Sequence, residues 1–227
     1  MFSVSQGLVR CSMTLILATF LCPALLSGLA KPWKRHTIDF SNKQAGKLGA
    51  DGVRLADFND DGLLDITTGW EQGGAIVVYR NPGPAKVRAA WPSVTVGRVA
   101  SPEDAVFADM DGDGNLDVVS SCEGSERTMY IHWAPAKRAD YFKPRAWVTE
   151  PIPVTRKKQS WMFAEPAQID GRGGIDLFVS SKRANGSIGW LRRNASSDAG
   201  RSAGVFEWVQ LRDAGWIMTL KALDMDG

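Results

Sequence analysis

Asp109-Met110-Asp111-Gly112-Asp113-Gly114-Asn115-Leu116-Asp117 sets four carboxylates at positions 1, 3, 5 and 9 of a nine-residue stretch, with glycine at position 6. Like charges packed so closely repel one another unless a cation sits among them. Hard oxygens at alternate positions of a tight turn are what Ca²⁺ takes, and glycine lets the chain fold back around the ion. Asp57-Phe58-Asn59-Asp60-Asp61-Gly62-Leu63-Leu64-Asp65 repeats the pattern, with Asn59 as a neutral oxygen at position 3. A degenerate copy runs from Gln168 to Asp176. There Asp170, Gly173 and Asp176 match, while Gln168 and Arg172 replace acids and Arg172 puts a cation where a ligand belongs. Asp224-Met225-Asp226-Gly227 opens a fourth copy. Asp and Gly also make ordinary surface turns, but copies at regular spacing argue for metal. The expected side-chain ligands are Asp57, Asn59, Asp61 and Asp65, then Asp109, Asp111, Asp113 and Asp117, with Asp224 and Asp226 opening a further site.

The elements around these loops must be strands. A helix–loop–helix calcium site needs a bidentate Glu at position 12, and Thr68 and Ser120 stand there. β-branched residues follow each turn, as in Leu64-Asp65-Ile66-Thr67-Thr68 and Leu116-Asp117-Val118-Val119-Ser120, which argues for hairpins whose turns hold the ion. Loop starts at 57, 109, 168 and 224 lie 52, 59 and 56 residues apart, and each interval carries four short apolar segments. The third is Ala75–Arg80, Met129–Trp133 or Ser187–Arg192, with Tyr79, Trp133 and Trp190 taken as equivalent. The fourth begins at Trp91, Trp147 or Trp208. Recurring aromatics on strands are expected to pack between neighbouring sheets. Four strands per repeat predict an all-β fold: a β-propeller of four-stranded blades, about three and a half of them, in an incomplete ring. Trp33 to Phe40 resembles a fourth strand and is expected to complete the sheet of a last blade.

Composition is ordinary for a globular domain, with 44% hydrophobic and 23% charged residues. The net charge of +2 gives no electrostatic case for a nucleic-acid partner. Residues 1–30 read as a signal peptide. Arg10 precedes an apolar run from Met13 to Leu26, and Gly28-Leu29-Ala30 offers small residues before a cut at Lys31. Cleavage would leave no membrane span, a secreted, periplasmic or cell-surface location, and Cys122 as the one mature cysteine. Cys122 is expected to be a small buried residue and His36 an ordinary strand residue.

Residues 31–227 resemble the FG-GAP/VCBS-type calcium repeats of the integrin α-subunit head and of many exported bacterial proteins. The resemblance rests on Asp57–Asp65, Asp109–Asp117, the strands that follow them and the Tyr79/Trp133/Trp190 segment. It implies that the carbonyls of Leu63 and Asn115 join the side chains around each ion. Propellers of this kind usually close with about seven blades, so the chain is expected to be a fragment of a longer protein.

The loops at the edge opposite the metal turns form the expected ligand face. They carry Asp51, Glu103, Asp104, Glu123, Arg127, Trp161, Lys182, Arg183 and Trp216. The favoured reading is a calcium-stabilised binding or adhesion module for extracellular carbohydrate or protein, without chemistry of its own. The alternative is a polysaccharide lyase or hydrolase on the same scaffold, with Glu103, Asp104 and Arg127 as candidates. No nucleophile elbow, zinc-protease helix or phosphate-binding glycine loop is present in the sequence.

Overall fold

The computed structural model describes residues 33–39, 49–194, 200–223 and 225. The signal region 1–30 and the acids Asp224 and Asp226 lie outside the described residues. Two compact units divide at Arg35, and everything below concerns the second, His36–Gly227.

Among the described residues, twelve strands form three four-stranded antiparallel sheets, each made of consecutive strands in chain order. The first holds β1 (Ala50–Ala56), β2 (Asp65–Trp70), β3 (Ala75–Tyr79) and β4 (Ser93–Gly97). The second holds β5 (Pro102–Ala108), β6 (Asp117–Cys122), β7 (Met129–Trp133) and β8 (Val148–Pro151). The third holds β9 (Ser160–Ala167), β10 (Asp176–Lys182), β11 (Ser187–Arg193) and β12 (Phe206–Asp213). These are propeller blades. β5 lies against β1 on one side and β9 on the other, so the first strand of each blade meets the first strand of the next.

Side-chain alternation along each strand gives every blade two apolar faces. Ile76 and Val78 of the first blade share a core with Phe107, Val118 and Trp147 of the second. Ile131 and Trp133 of the second blade meet Leu177, Val179 and Leu191 of the third. Trp161 and Trp208 close that core edge to face, 5.2 Å between centroids. Most of the recurring tryptophans are therefore packing residues, as expected.

The register corrects two expectations. Ile66, Val118 and Leu177 each follow the last Asp of a loop, and their partners are Tyr79, His132 and Leu191. Trp133 stands one residue beyond that position and Trp190 one before it, which turns both to the face opposite Tyr79. Residues 33–39 form no strand. Ile38 instead packs on the free face of the first blade with Val77 and Tyr79. Its carbonyl accepts the Trp91 N–H at 2.8 Å, and the Tyr79 hydroxyl donates to Asp39 at 3.0 Å.

Arg54 on β1 ties the inner strands together. Its guanidinium grips Asp104 of β5 through Nη2–Oδ2 at 2.9 Å and Nε–Oδ1 at 3.1 Å, and reaches Glu165 of β9 at 3.2 Å. Asp104 also accepts the Ala164 N–H at 3.2 Å. Burial pushes the Asp104 carboxyl up and Arg54 opposes it. Removing one partner of a buried pair leaves the other charge uncompensated, at a cost of roughly 3–5 kcal/mol. Arg54→Ala is therefore expected to destabilise the folded chain by about 3 kcal/mol in urea unfolding; a change within about 0.5 kcal/mol would show that the three strands hold together without it.

Candidate metal loops and the opposite face

Each acidic loop joins the first two strands of a blade, and its last Asp is fully buried: Asp65, Asp117 and Asp176 all have 0% exposure. The three carboxylates do the same work. Oδ2 accepts the N–H of the loop's second residue, Phe58, Met110 or Ile169, at 3.0–3.1 Å. Oδ1 accepts, at 2.7 Å, the N–H of Asn81, Ala134 or Arg193 at the end of the third strand. One side chain thus closes the turn and fastens it to the strand two positions away in the sheet.

The first Asp organises the tip. Asp109 accepts from the N–H groups of Gly112, Asp113 and Gly114 at 2.8–3.1 Å, and Asp57 accepts from Asp61 and Gly62 at 2.8–3.0 Å. Gly112 and Gly114 take φ of 78° and 82°, the left-handed region that allows the reversal. One carboxylate oxygen from each of Asp109, Asp111 and Asp117 then lies within 4.8 Å of the other two. Burial pushes the Asp117 carboxyl up to about 7, with Asp111 adding to the shift and backbone N–H groups opposing it. Arg201 supplies the nearest protein cation, 2.8 Å from Asp111 and 3.5 Å from Asp113. Converging hard oxygens with incomplete charge compensation fit Ca²⁺. The first loop repeats the backbone contacts of its first and last Asp, with Asn59 in place of one acid, and burial likewise raises Asp65.

The third loop solves its electrostatics internally. The Gln168 amide nitrogen donates to the carbonyl of Arg172 at 3.2 Å and to the carbonyl of Gly174, the residue matching Leu63 and Asn115. An N–H donor thus occupies the place where an ion would gather oxygens. Gln168 reads in sequence as a lost ligand; its role as an internal replacement depends on a side-chain direction that sequence does not carry.

At the opposite edge, residues assigned to loops belong largely to strands: Glu103 and Asp104 lie in β5, and Trp161 lies in β9. Trp161 is fully buried, its indole N–H on the Thr155 carbonyl. Trp216 is 61% exposed. The three candidates for chemistry are each held elsewhere. Asp104 belongs to Arg54, Arg127 donates to the carbonyls of Lys157 and Lys158, and Glu103 meets Lys182 at 3.2 Å. Glu71, which sequence reasoning passed over, joins Glu103 and Glu123 with one oxygen of each within 4.8 Å of the others. Lys182 sits on this group, 2.9 Å from Glu123.

Two other reactive side chains are packing residues. Cys122 is buried, and burial raises its thiol far above the ordinary range. His132, held neutral with its pKa lowered to about 3 by burial, is flanked by Ser120 and Thr149 at 2.9 Å. Gly97 of the first blade lies so close that a Cβ there would be 2.1 Å from the imidazole.

Residues 57–120, from the start of the first acidic loop to the strand after the second, match a family model described as an FG-GAP-like repeat. The chain contains an FG-GAP-like repeat over this stretch. None of the curated proteins compared with it matches. The matched stretch contains the first two loops and stops before the third.

The glutamate cluster gives the protein a pH signature. Burial, then Glu123, raises Glu103 to about 7. Burial also works on Glu123, but hydrogen bonds from Lys182 and Glu103 outweigh it and hold Glu123 low. A carboxyl raised in the folded state contributes most below its unfolded pKa and loses that contribution as pH rises toward the folded value. Glu103→Gln should therefore gain on the parent between pH 5 and pH 8, by about 2 kcal/mol in urea unfolding. Parallel profiles for the two proteins would show that Glu103 is not strained by its surroundings.

Proposed function

We propose that this protein is an exported binding module whose propeller blades are stabilised by two calcium ions, and that its ligand is an extracellular carbohydrate or protein. FG-GAP repeats are typically extracellular, and among the described residues no helix is long and apolar enough to cross a membrane. The observation that carries the calcium reading is the convergence of Asp109, Asp111 and Asp117 around a turn whose last acid is buried.

Asp57, Asn59, Asp61, Asp65 and the Leu63 carbonyl would hold one ion. Asp109, Asp111, Asp113, Asp117 and the Asn115 carbonyl would hold the other. Calcium supplies positive charge at each turn, and the protein supplies preformed oxygens. The backbone hydrogen bonds of Asp57, Asp109, Asp65 and Asp117 orient those oxygens before binding. The ion's place at the joint between two strands makes it a structural element, and the opposite edge is left for the ligand.

Calcium titration by calorimetry, with melting followed in parallel, tests this. Two sites are expected, one lost in Asp109→Asn and the other in Asp57→Asn. Calcium at a hundredfold excess over Kd adds about 2.7 kcal/mol per site and should raise Tm by roughly 5–10 °C for a domain of this size. No heat and no shift at millimolar calcium would contradict the proposal, and a third site abolished by Asp170→Asn would contradict the reading of Gln168.

A further inference from the structure

At the edge opposite the acidic loops, the turn between β6 and β7, the segment entering β9 and the turn between β10 and β11 enclose a cavity of about 220 Å³. Arg127, Lys158, Gln159, Lys182, Arg183 and Asn185 line it, and no carboxylate does. Glu103 and Glu123 stand behind Lys182 and fix its ammonium. Four cations from three separate segments converge on a protein whose net charge is only +2. Arg183 also reaches Glu123, at 3.5 Å, so Lys182 and Arg183 have carboxylates behind them, while Arg127, anchored on backbone carbonyls, and Lys158 bring further positive charge to the cavity.

Several of these donors are fixed in place. Arg127 spends Nη2 on the carbonyls of Lys157 and Lys158, at 2.5 and 2.8 Å, which anchors the guanidinium and leaves Nε and Nη1. Gln159 accepts at Oε1 from the hydroxyls of Ser187, at 2.8 Å, and Ser181. That fixes the amide so that its NH₂ is the end left for a ligand. Lys182 lies 5.1 Å from the centre of the exposed Trp216 ring.

The backbone is strained at the same rim. Ser101, Arg127, Lys157 and Arg183 take φ of 48°, 48°, 56° and 84°. Glycine relieves such conformations, each costing on the order of 1 kcal/mol or more for other residues. If only the turns mattered, glycine would serve better. Arg127 and Arg183, two of these four, line the cavity, while the Lys157 ammonium is engaged with Glu126 at 3.5 Å and the Ser125 carbonyl at 2.9 Å.

We propose that this cavity binds the anionic group, carboxylate or sulfate, of an acidic sugar, with Trp216 offering an apolar face to the sugar ring. The proposal rests on the binding-module reading above and assigns a ligand class to it. Guanidinium and ammonium groups pair with the anion, the fixed Gln159 amide and Asn185 serve ring hydroxyls, and an indole face covers sugar C–H groups. A small cavity with one flanking aromatic suits a single charged sugar unit better than the long basic track a nucleic acid needs.

The test uses the calcium-loaded full chain, titrated with oligogalacturonate, a heparin oligosaccharide, a neutral maltooligosaccharide and polyglutamate while tryptophan emission is recorded. One of the two acidic sugars should bind and change the emission, while the neutral sugar should not bind. Lys158→Gln and Arg183→Gln should each weaken binding about tenfold or more, the loss expected for one charge-assisted hydrogen bond, without changing Tm. Arg183 is the safer variant, since its side chain is 63% exposed. Failure of both acidic sugars to bind, indifference to both substitutions, or equal binding of polyglutamate would overturn the proposal. Calcium-dependent melting in the same samples separates the two readings. If calcium stabilises the chain and no acidic sugar binds, only this inference falls; if calcium has no effect, the calcium-stabilised module reading fails on its own.

Discussion

The structure depends on one hydrogen-bonded carboxylate repeated three times. Asp65, Asp117 and Asp176 are each fully buried, and each accepts one N–H from its own turn and one from the end of the third strand. Hydrogen bonds to a charged acceptor contribute roughly 1.5–3 kcal/mol, so these contacts set the geometry of every blade. The cost is a buried negative charge. In the second loop that cost appears as the upward shift of Asp117. A cation among the neighbouring acids would compensate it, and on the proposed reading calcium is an addition to a joint already built from protein. The third loop keeps the joint, and its Gln168 amide donates to the carbonyls of Arg172 and Gly174 where an ion is proposed in the other two.

From that joint the packing follows. Fixed turns align strands whose alternating faces meet the next blade, Ile76 and Val78 against Val118, then Ile131 and Trp133 against Leu177 and Leu191. Arg54 crosses from the first blade to the second and third along the inner strands, where backbone from three sheets converges. The acidic loops each fasten the strands of one blade at one edge, and the proposed ligand face lies at the other. There the strained, basic turns stand beside an acidic triad held by Lys182.

Much of this was legible in sequence because the repeat writes its geometry into residue types. Alternate Asp with Gly at position 6 marks a turn that reverses around oxygens, and β-branched residues after it mark a strand. Four apolar segments per interval mark a blade, and the three sheets begin and end close to those segments. Register was less legible. Tyr79, Trp133 and Trp190 look alike in sequence, yet the loop-to-strand distance differs between blades, and a one-residue offset reverses a side chain. Trp161 looked like a rim residue because the strand it belongs to starts earlier than its loop pattern suggests. Arg54 left no local signal at all: its partners lie 50 and 111 residues away. Gln168 was visible as an exception, and only its contacts reveal a function.

Amide hydrogen exchange, measured in chelator and in calcium, tests the central claim most directly. The account predicts that the amides of Asn81, Ala134 and Arg193 are protected in all three blades even without metal. Calcium should then slow the tips of the first two loops, around Asp61–Leu63 and Asp113–Asn115, and leave Gly171 and Arg172 unchanged. Rapid exchange at Asn81, Ala134 and Arg193 in chelator would contradict the account, because the buried carboxylates would then depend on the ion for the contacts assigned to them.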